Sequence, residues 1–227
     1  MSHSLSHRVI AAGVSRSFPE AHGLISSAGA DGDILIITGA EAGAAYAALA
    51  DKDSYRAILI ELGTECLGVH TGESRALEGG PVLGFARFRL GDAAPTDLVE
   101  IVCQPATPAE VVDAARALFE AHGLKTAVCG DFPGRIIDRL VRPYYNAALN
   151  RLDAQLATAA DMDLTLRLGL GYPEGPIELL ERTGLAAHHD VTGALYAALG
   201  DPAYAPARRA QVAKARAVAT ERQQKGL

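Results

Sequence analysis

Tryptophan is absent from this chain, and aromatic residues of every kind make up only 5% of it. That scarcity disfavours the stacking platforms on which proteins hold bases or sugars. Positive charge is in deficit: 21 Lys and Arg stand against 27 Asp and Glu, a formal net charge of −6. Phosphate backbones and anionic membranes are held by clustered Lys and Arg, so neither nucleic acid nor a membrane is an expected partner. Long apolar runs are missing as well. The best, Ile34–Thr38 and Ala57–Leu62, fall far short of a bilayer span. Met1–Arg8 holds three Ser and two His with no apolar stretch, so no secretory leader is expected. Cysteine is sparse. Cys66, Cys103 and Cys129 are widely spaced and form no C-x-x-C, which reads as reduced, mostly buried thiols of a cytoplasmic protein. Apolar residues are plentiful: 49% of 227 suffices for one large domain or two small ones with real cores.

The hydrophobic period changes once along the chain. Up to about Gly130, short β-branched runs alternate with helical patterns, the mark of parallel α/β structure. Val9–Ala11, Asp33–Thr38, Tyr55–Leu62, Pro81–Leu90, Leu98–Cys103 and Lys125–Cys129 read as strands. Too few residues separate the fourth and fifth for a helix, so an antiparallel step is expected there. Thr107 is expected to cap a helix with Pro108 at its first position, burying Val111, Ala114, Ala115, Leu118 and Phe119. After Gly130 no strand signal recurs. Helices are expected over Arg135–Leu156, Ala160–Leu170, Pro176–Thr183, His188–Leu199 and Ala207–Gln224. The expected architecture is thus α/β over residues 1–130, then an all-α bundle over residues 131–227.

The helical region contains a pair of specific stretches, DFPGRIIDRLVRPYYNAALNRLD and DMDLTLRLGLGYPEGPIELLERTGL. They resemble the C-terminal helical domain of the 3-hydroxyacyl-CoA dehydrogenases, with its D-x-P-G-F-I-x-N-R and D-x-D-x-x-x-x-x-G-x-G-x-P-x-G-P-x-E-L-L-D patterns. Asp131, Pro133, Gly134, Ile136, Arg139, Pro143, Tyr144, Asp161, Asp163, Gly169, Gly171, Pro173, Gly175, Pro176, Glu178, Leu179 and Leu180 carry the match. The similarity covers Val82 to about Pro206. The α/β region then resembles the reduced Rossmann module in the second half of two-copy 3-hydroxybutyryl-CoA dehydrogenases. Most of these residues also make physical sense alone. Gly134 permits a tight helix entry, Gly171 a left-handed helix end, Pro176 a helix start, and Asp161 and Asp163 complement a helix dipole.

The resemblance implies hydride transfer between C3 of an acyl-CoA and NAD, with a His base oriented by a Glu and an Asn nearby. Glu100 matches the orienting Glu and Asp138 the Asn. The base position falls on Ala86, and no His occurs between His70 and His122. Losing a general base costs roughly 10²–10⁴ in rate. A dinucleotide fold needs G-x-G-x-x-G after its first strand; here Ala11-Ala12-Gly13-Val14-Ser15-Arg16 offers one glycine. Where the family has a substrate-contacting Ser, this chain reads Gly63-Thr64-Glu65-Cys66-Leu67. No cofactor is therefore expected, although NAD is the family's.

Plainer readings stand beside these. Glu100 reads as a strand-end carboxylate left from catalysis, Asp138 as part of a surface ion-pair network with Arg139 and Arg142, and Arg135 as a solvated Arg. His188-His189-Asp190 is not a metal site, because adjacent helical residues point apart. No cysteine has an adjacent His, so none reads as a nucleophile. Three functions remain open. One is an active dehydrogenase. Another is a catalytically degenerate relative acting as a homodimer through its helical domain, or beside a full-length dehydrogenase. The third is an acyl-CoA-binding module without redox chemistry.

Overall fold

A computed structural model describes residues 6–224. Met1–Leu5, on which most of the leader expectation rests, lie outside the described residues. The chain forms two compact units: one runs to Arg89 and resumes over Pro95–Ile136, the other comprises Leu90–Ala94 and everything from Ile137 onward. No helix among the described residues is long and apolar enough to cross a membrane.

Among the described residues, the first unit is built on six strands: β1 (His7–Ala11), β2 (Ile34–Thr38), β3 (Ala57–Glu61), β4 (Val82–Arg87), β5 (Leu98–Cys103) and β6 (Lys125–Gly130). They lie side by side in chain order, β1 to β6. β1 to β4 are parallel, β5 is antiparallel to β4 as the short connection required, and β6 is parallel to β5. Every residue of β2 and β3 is buried, because aliphatic side chains cover both faces of the sheet. One face packs Ile34, Ile36, Leu59, Phe85, Val99 and Ile101 beneath α4 (Ala109–Ala121). The other packs Leu35, Ile37, Ile58, Ile60 and Val102 beneath α2 (Ala42–Ala48) and Leu67, which precedes α3 (Gly68–Thr71). The connection from β1 to β2 holds a four-residue helix, α1 (Gly23–Ser26).

One local expectation needs correction. Pro108, extended and without a side-chain cap bond, is itself the N-cap of α4. Thr107 instead turns its hydroxyl back to accept from the Gln104 amide. The turn after β6 is also tied to this unit. Asp131 accepts from the Leu67 and Gly68 amides at 2.6 and 2.7 Å, and the Gly134 amide donates to the Thr64 carbonyl.

The second unit contains α5 (Ile136–Asp153), α6 (Ala159–Leu170), α7 (Pro176–Thr183), α8 (Leu185–Leu199) and α9 (Arg208–Gln224). Pro143 lies inside α5 and offers no N–H to the Arg139 carbonyl. The buried Tyr204 hydroxyl donates to that carbonyl at 2.9 Å, so the lost helical bond is replaced from outside. Asp163 departs from the dipole reading given to it. It is buried and accepts from the Ile177 and Glu178 amides at 2.9 and 3.0 Å, capping α7 rather than its own helix. This clasp explains Gly175, where a Cβ would stand 2.2 Å from the Asp163 Cβ. Asp161 stays at its own first turn, bonded to the capping Thr158.

Candidate active site

Alternation along β5 turns Val99 and Ile101 toward one core and places Glu100 on the other face with Val102. Glu100 is 1% exposed. Directly across the antiparallel ladder its partner is Ala86, and across the parallel ladder Ala127. Cross-strand partners of this kind stand about 5 Å apart with side chains on the same face. The position at which the sequence reading expects the base therefore stands opposite Glu100, and it carries a methyl group. A methyl group accepts no proton. Next along β6 is Cys129, whose half-buried thiol is pushed up to about 11, chiefly by burial. Burial also raises the Cys66 and Cys103 thiols, so all three stay protonated at neutral pH, half-buried rather than buried.

The parallel strands β1, β2 and β3 end at one edge of the sheet, where open α/β proteins receive ligands. Here that edge is filled by the chain itself. The Glu61 carboxylate, at the end of β3, accepts from Ser15 Oγ at 2.7 Å, the Ser17 amide at 2.7 Å and the Gly39 amide at 2.6 Å. The loops after β1 and β2 also bond to each other, Ala40 to the Val14 carbonyl and Glu41 to the Ala12 carbonyl. A pyrophosphate would need those amides, a helix starting at once after β1, and a reversal of strand order beside it. The amides are taken, α1 is one turn long and begins at Gly23, and the described strands run in order. These residues do not fit a dinucleotide.

Asp138 lies in the other unit, at the first turn of α5, and its environment overturns the surface reading. It accepts from Arg142 Nε at 2.7 Å, and Arg142 is 1% exposed. Arg142 Nη1 contacts His188 Nδ1 at 3.0 Å. A guanidinium only donates, so the ring carries its proton on Nε2 and donates it to Asn146 Oδ1, also at 3.0 Å. The Asn146 amide then donates to Thr192 Oγ1 and the Ala203 carbonyl. Burial first, then Arg142, then His189 push the His188 pKa down to about 3. His189 points elsewhere, to Asp190. Arg135 likewise is not solvated: it is 3% exposed and donates to the Glu65 and Phe132 carbonyls.

Residues 134–226 match the family model of the 3-hydroxyacyl-CoA dehydrogenase C-terminal domain. The helical domain of this chain is therefore similar to the C-terminal domain of the 3-hydroxyacyl-CoA dehydrogenases. Over 99 residues, 44% of this chain and 21% of the relative, it is 39% identical to the 3-hydroxyadipyl-CoA dehydrogenase of Escherichia coli (strain K12). Over 102 residues, 44% of this chain and 32% of the relative, it is 36% identical to the mitochondrial hydroxyacyl-coenzyme A dehydrogenase of Homo sapiens. The chain thus matches a fifth to a third of the length of these relatives. Among solved structures, 3-hydroxybutyryl-CoA dehydrogenase from E. coli K12 superposes with a TM-score of 0.67 at 28% identity, covering 86% of this chain and 40% of that one. The (S)-3-hydroxybutyryl-CoA dehydrogenase of Ralstonia eutropha superposes at 0.65 and 22% identity, covering 79% and 64%, and shares the fold.

The family match covers Asp138, Arg142, Asn146 and His188 but not Glu61, Ala86 or Glu100. Sequence reasoning missed two arrangements. Asp138, Arg142 and Asn146 recur every four residues, a polar stripe on one helix face that was readable. Glu61 closes an aliphatic run, and nothing local announces its three donors. On the helical unit, α6 is mostly exposed. Leu164, Leu168 and Leu170 along it, with Leu156 just before it, are 45–79% exposed. A groove of about 440 Å³, lined by Tyr144, Ala148, Leu156, Met162 and Leu166, runs between α5 and α6.

Proposed function

We propose that this chain is a family member that performs no redox chemistry by itself and acts through association, as a homodimer joined at α6 or beside a full-length dehydrogenase. It would do so in the cytoplasm, in acyl-CoA metabolism. The observation that carries the reading is Ala86 directly across from Glu100: the carboxylate that would orient a base faces a methyl group. The row of exposed leucines supports the association. A helix with only Asp163 fully buried leaves apolar surface that a second copy of the same helix would cover.

Two measurements test this. With acetoacetyl-CoA as substrate, no NADH oxidation is expected from the purified protein or from Ala86→His. A proton acceptor alone does not supply the hydride donor. Turnover above about 1 s⁻¹, ordinary for an enzyme, would establish an active dehydrogenase instead. Saturable acetoacetyl-CoA binding without turnover would favour the binding module. Sedimentation at micromolar concentration should show a dimer, and Leu168→Glu should give a monomer of unchanged helix content. A wild-type monomer would refute the homodimer.

A further inference from the structure

The donors collected at the end of β3 form a recognisable device. Ser17 and Ser15 come from the loop after β1, Gly39 from the loop after β2, and all three aim at one carboxylate on β3. Gly39 holds its amide there with φ +104, and a Cβ would stand 2.2 Å from the Ala12 carbonyl oxygen, so only glycine serves. Ser17 is 1% exposed and Glu61 7%. Arg87 buttresses the loop, donating from Nη1 to the Ser17 carbonyl at 2.9 Å and from its amide to Ser17 Oγ at 3.2 Å. Converging backbone N–H and hydroxyl donors at the carboxyl ends of parallel strands are what an oxyanion needs.

We propose that this is a small-oxyanion cradle permanently filled by the chain's own Glu61, a tethered stand-in for a phosphate or carboxylate ligand. A tethered group competes at an effective concentration of millimolar or more. Free phosphate therefore does not displace it, and the wild-type protein is blind to oxyanions. Removing the carboxylate frees the donors and creates the site. The proposal rests on the reading that no dinucleotide is used here, and the two fail separately. NADH turnover by wild type overturns that reading; the measurements below overturn only the cradle.

The experiment follows melting of wild type and Glu61→Ala in sodium chloride, formate and phosphate at equal ionic strength. Glu61→Ala should melt lower than wild type in chloride and recover by about 2–4 °C in 100 mM formate or phosphate. Wild type should not respond. Recovery with formate alone marks a carboxylate-sized cradle and recovery with phosphate a larger one; both support it. Equal melting of Glu61→Ala in all three salts overturns it. Should Glu61→Ala not fold, Glu61→Gln provides the readout. Charge-assisted hydrogen bonds shift the Ser17 and Gly39 amide protons downfield, and both should move upfield in the Gln variant. Unchanged shifts at these two amides overturn the proposal.

Discussion

The α/β unit and the helical unit handle their buried polar groups in opposite ways. In the helical unit, Asp138, Arg142, His188, Asn146 and Thr192 form one continuous hydrogen-bonded chain across two helices, α5 and α8. Asp163 adds a second cross-helix clasp. In the α/β unit the polar groups serve loops: Glu61 gathers two of them and Asp131 holds the start of α3. Ala86 and Ala127 flank Glu100, and Ala12 packs against Gly39. Family likeness is densest where polar groups carry architecture and thins where they would carry chemistry. A fold pattern and a catalytic pattern are separable, because the residues that carry each lie in different units of the chain.

Four substitutions test this contrast. Arg142→Ala should be the most damaging, since it leaves the Asp138 carboxylate and the His188 ring without their shared donor. Breaking a buried pair from one side costs about 3–5 kcal/mol, measurable as a lower urea midpoint of the helical unit. Gly39→Ala strikes the α/β unit through strained backbone and the contact with the Ala12 oxygen. A loss of about 2–4 kcal/mol is expected by the same measurement.

His188 tests the helical network by pH. Its folded pKa is about 3 against an ordinary 6.5, so the unfolded chain binds its proton first as pH falls. The stability it contributes is fully present above pH 6.5 and declines between there and about pH 3. At pH 4.5 the loss is about 2–3 kcal/mol. His188→Gln should be less stable at pH 7 but lose correspondingly less on going to pH 4.5, as urea unfolding at the two pH values would show. Equal pH slopes would mean that the ring is not buried neutral. The smallest effect belongs to Tyr204→Phe, which removes the hydroxyl that donates to the Arg139 carbonyl opposite Pro143. It should cost about 1–2 kcal/mol in thermal unfolding.

Much of this is legible in the chain. The aliphatic runs of β2 and β3 permit only buried strands, and Pro176 with Gly171 brackets the α6–α7 turn because few residues take those backbone angles. The expected α7 matches the observed one residue for residue. What escapes has one cause, partners distant in sequence. Spacing pairs Asp138 with Arg142, but only His188, 46 residues beyond Arg142, decides that the pair is buried. Arg135 reads as solvated because its acceptor, the Glu65 carbonyl, is 70 residues away. Glu61 draws its donors from 46, 44 and 22 residues upstream, beyond the reach of any local period. The pairing of Ala86 with Glu100 is the counter-case: ten residues separate β4 from β5, and a short connection brings both onto one ladder.

The order of the six strands has a consequence for how the sheet comes into being. Each strand pairs with its successor in the chain, and no connection exceeds the 22 residues between Ala11 and Ile34. Loop closure grows only slowly with length, by about 0.6 kcal/mol per doubling, so no single pairing is entropically prohibitive. In a doubly wound sheet the centre must wait for strands made later, whereas here each new strand meets an edge already laid down. Strand order of this kind allows growth by accretion, each described strand docking on the one before it. A parallel sheet, ordinarily slow to assemble because its contacts are remote, is thereby given a local route.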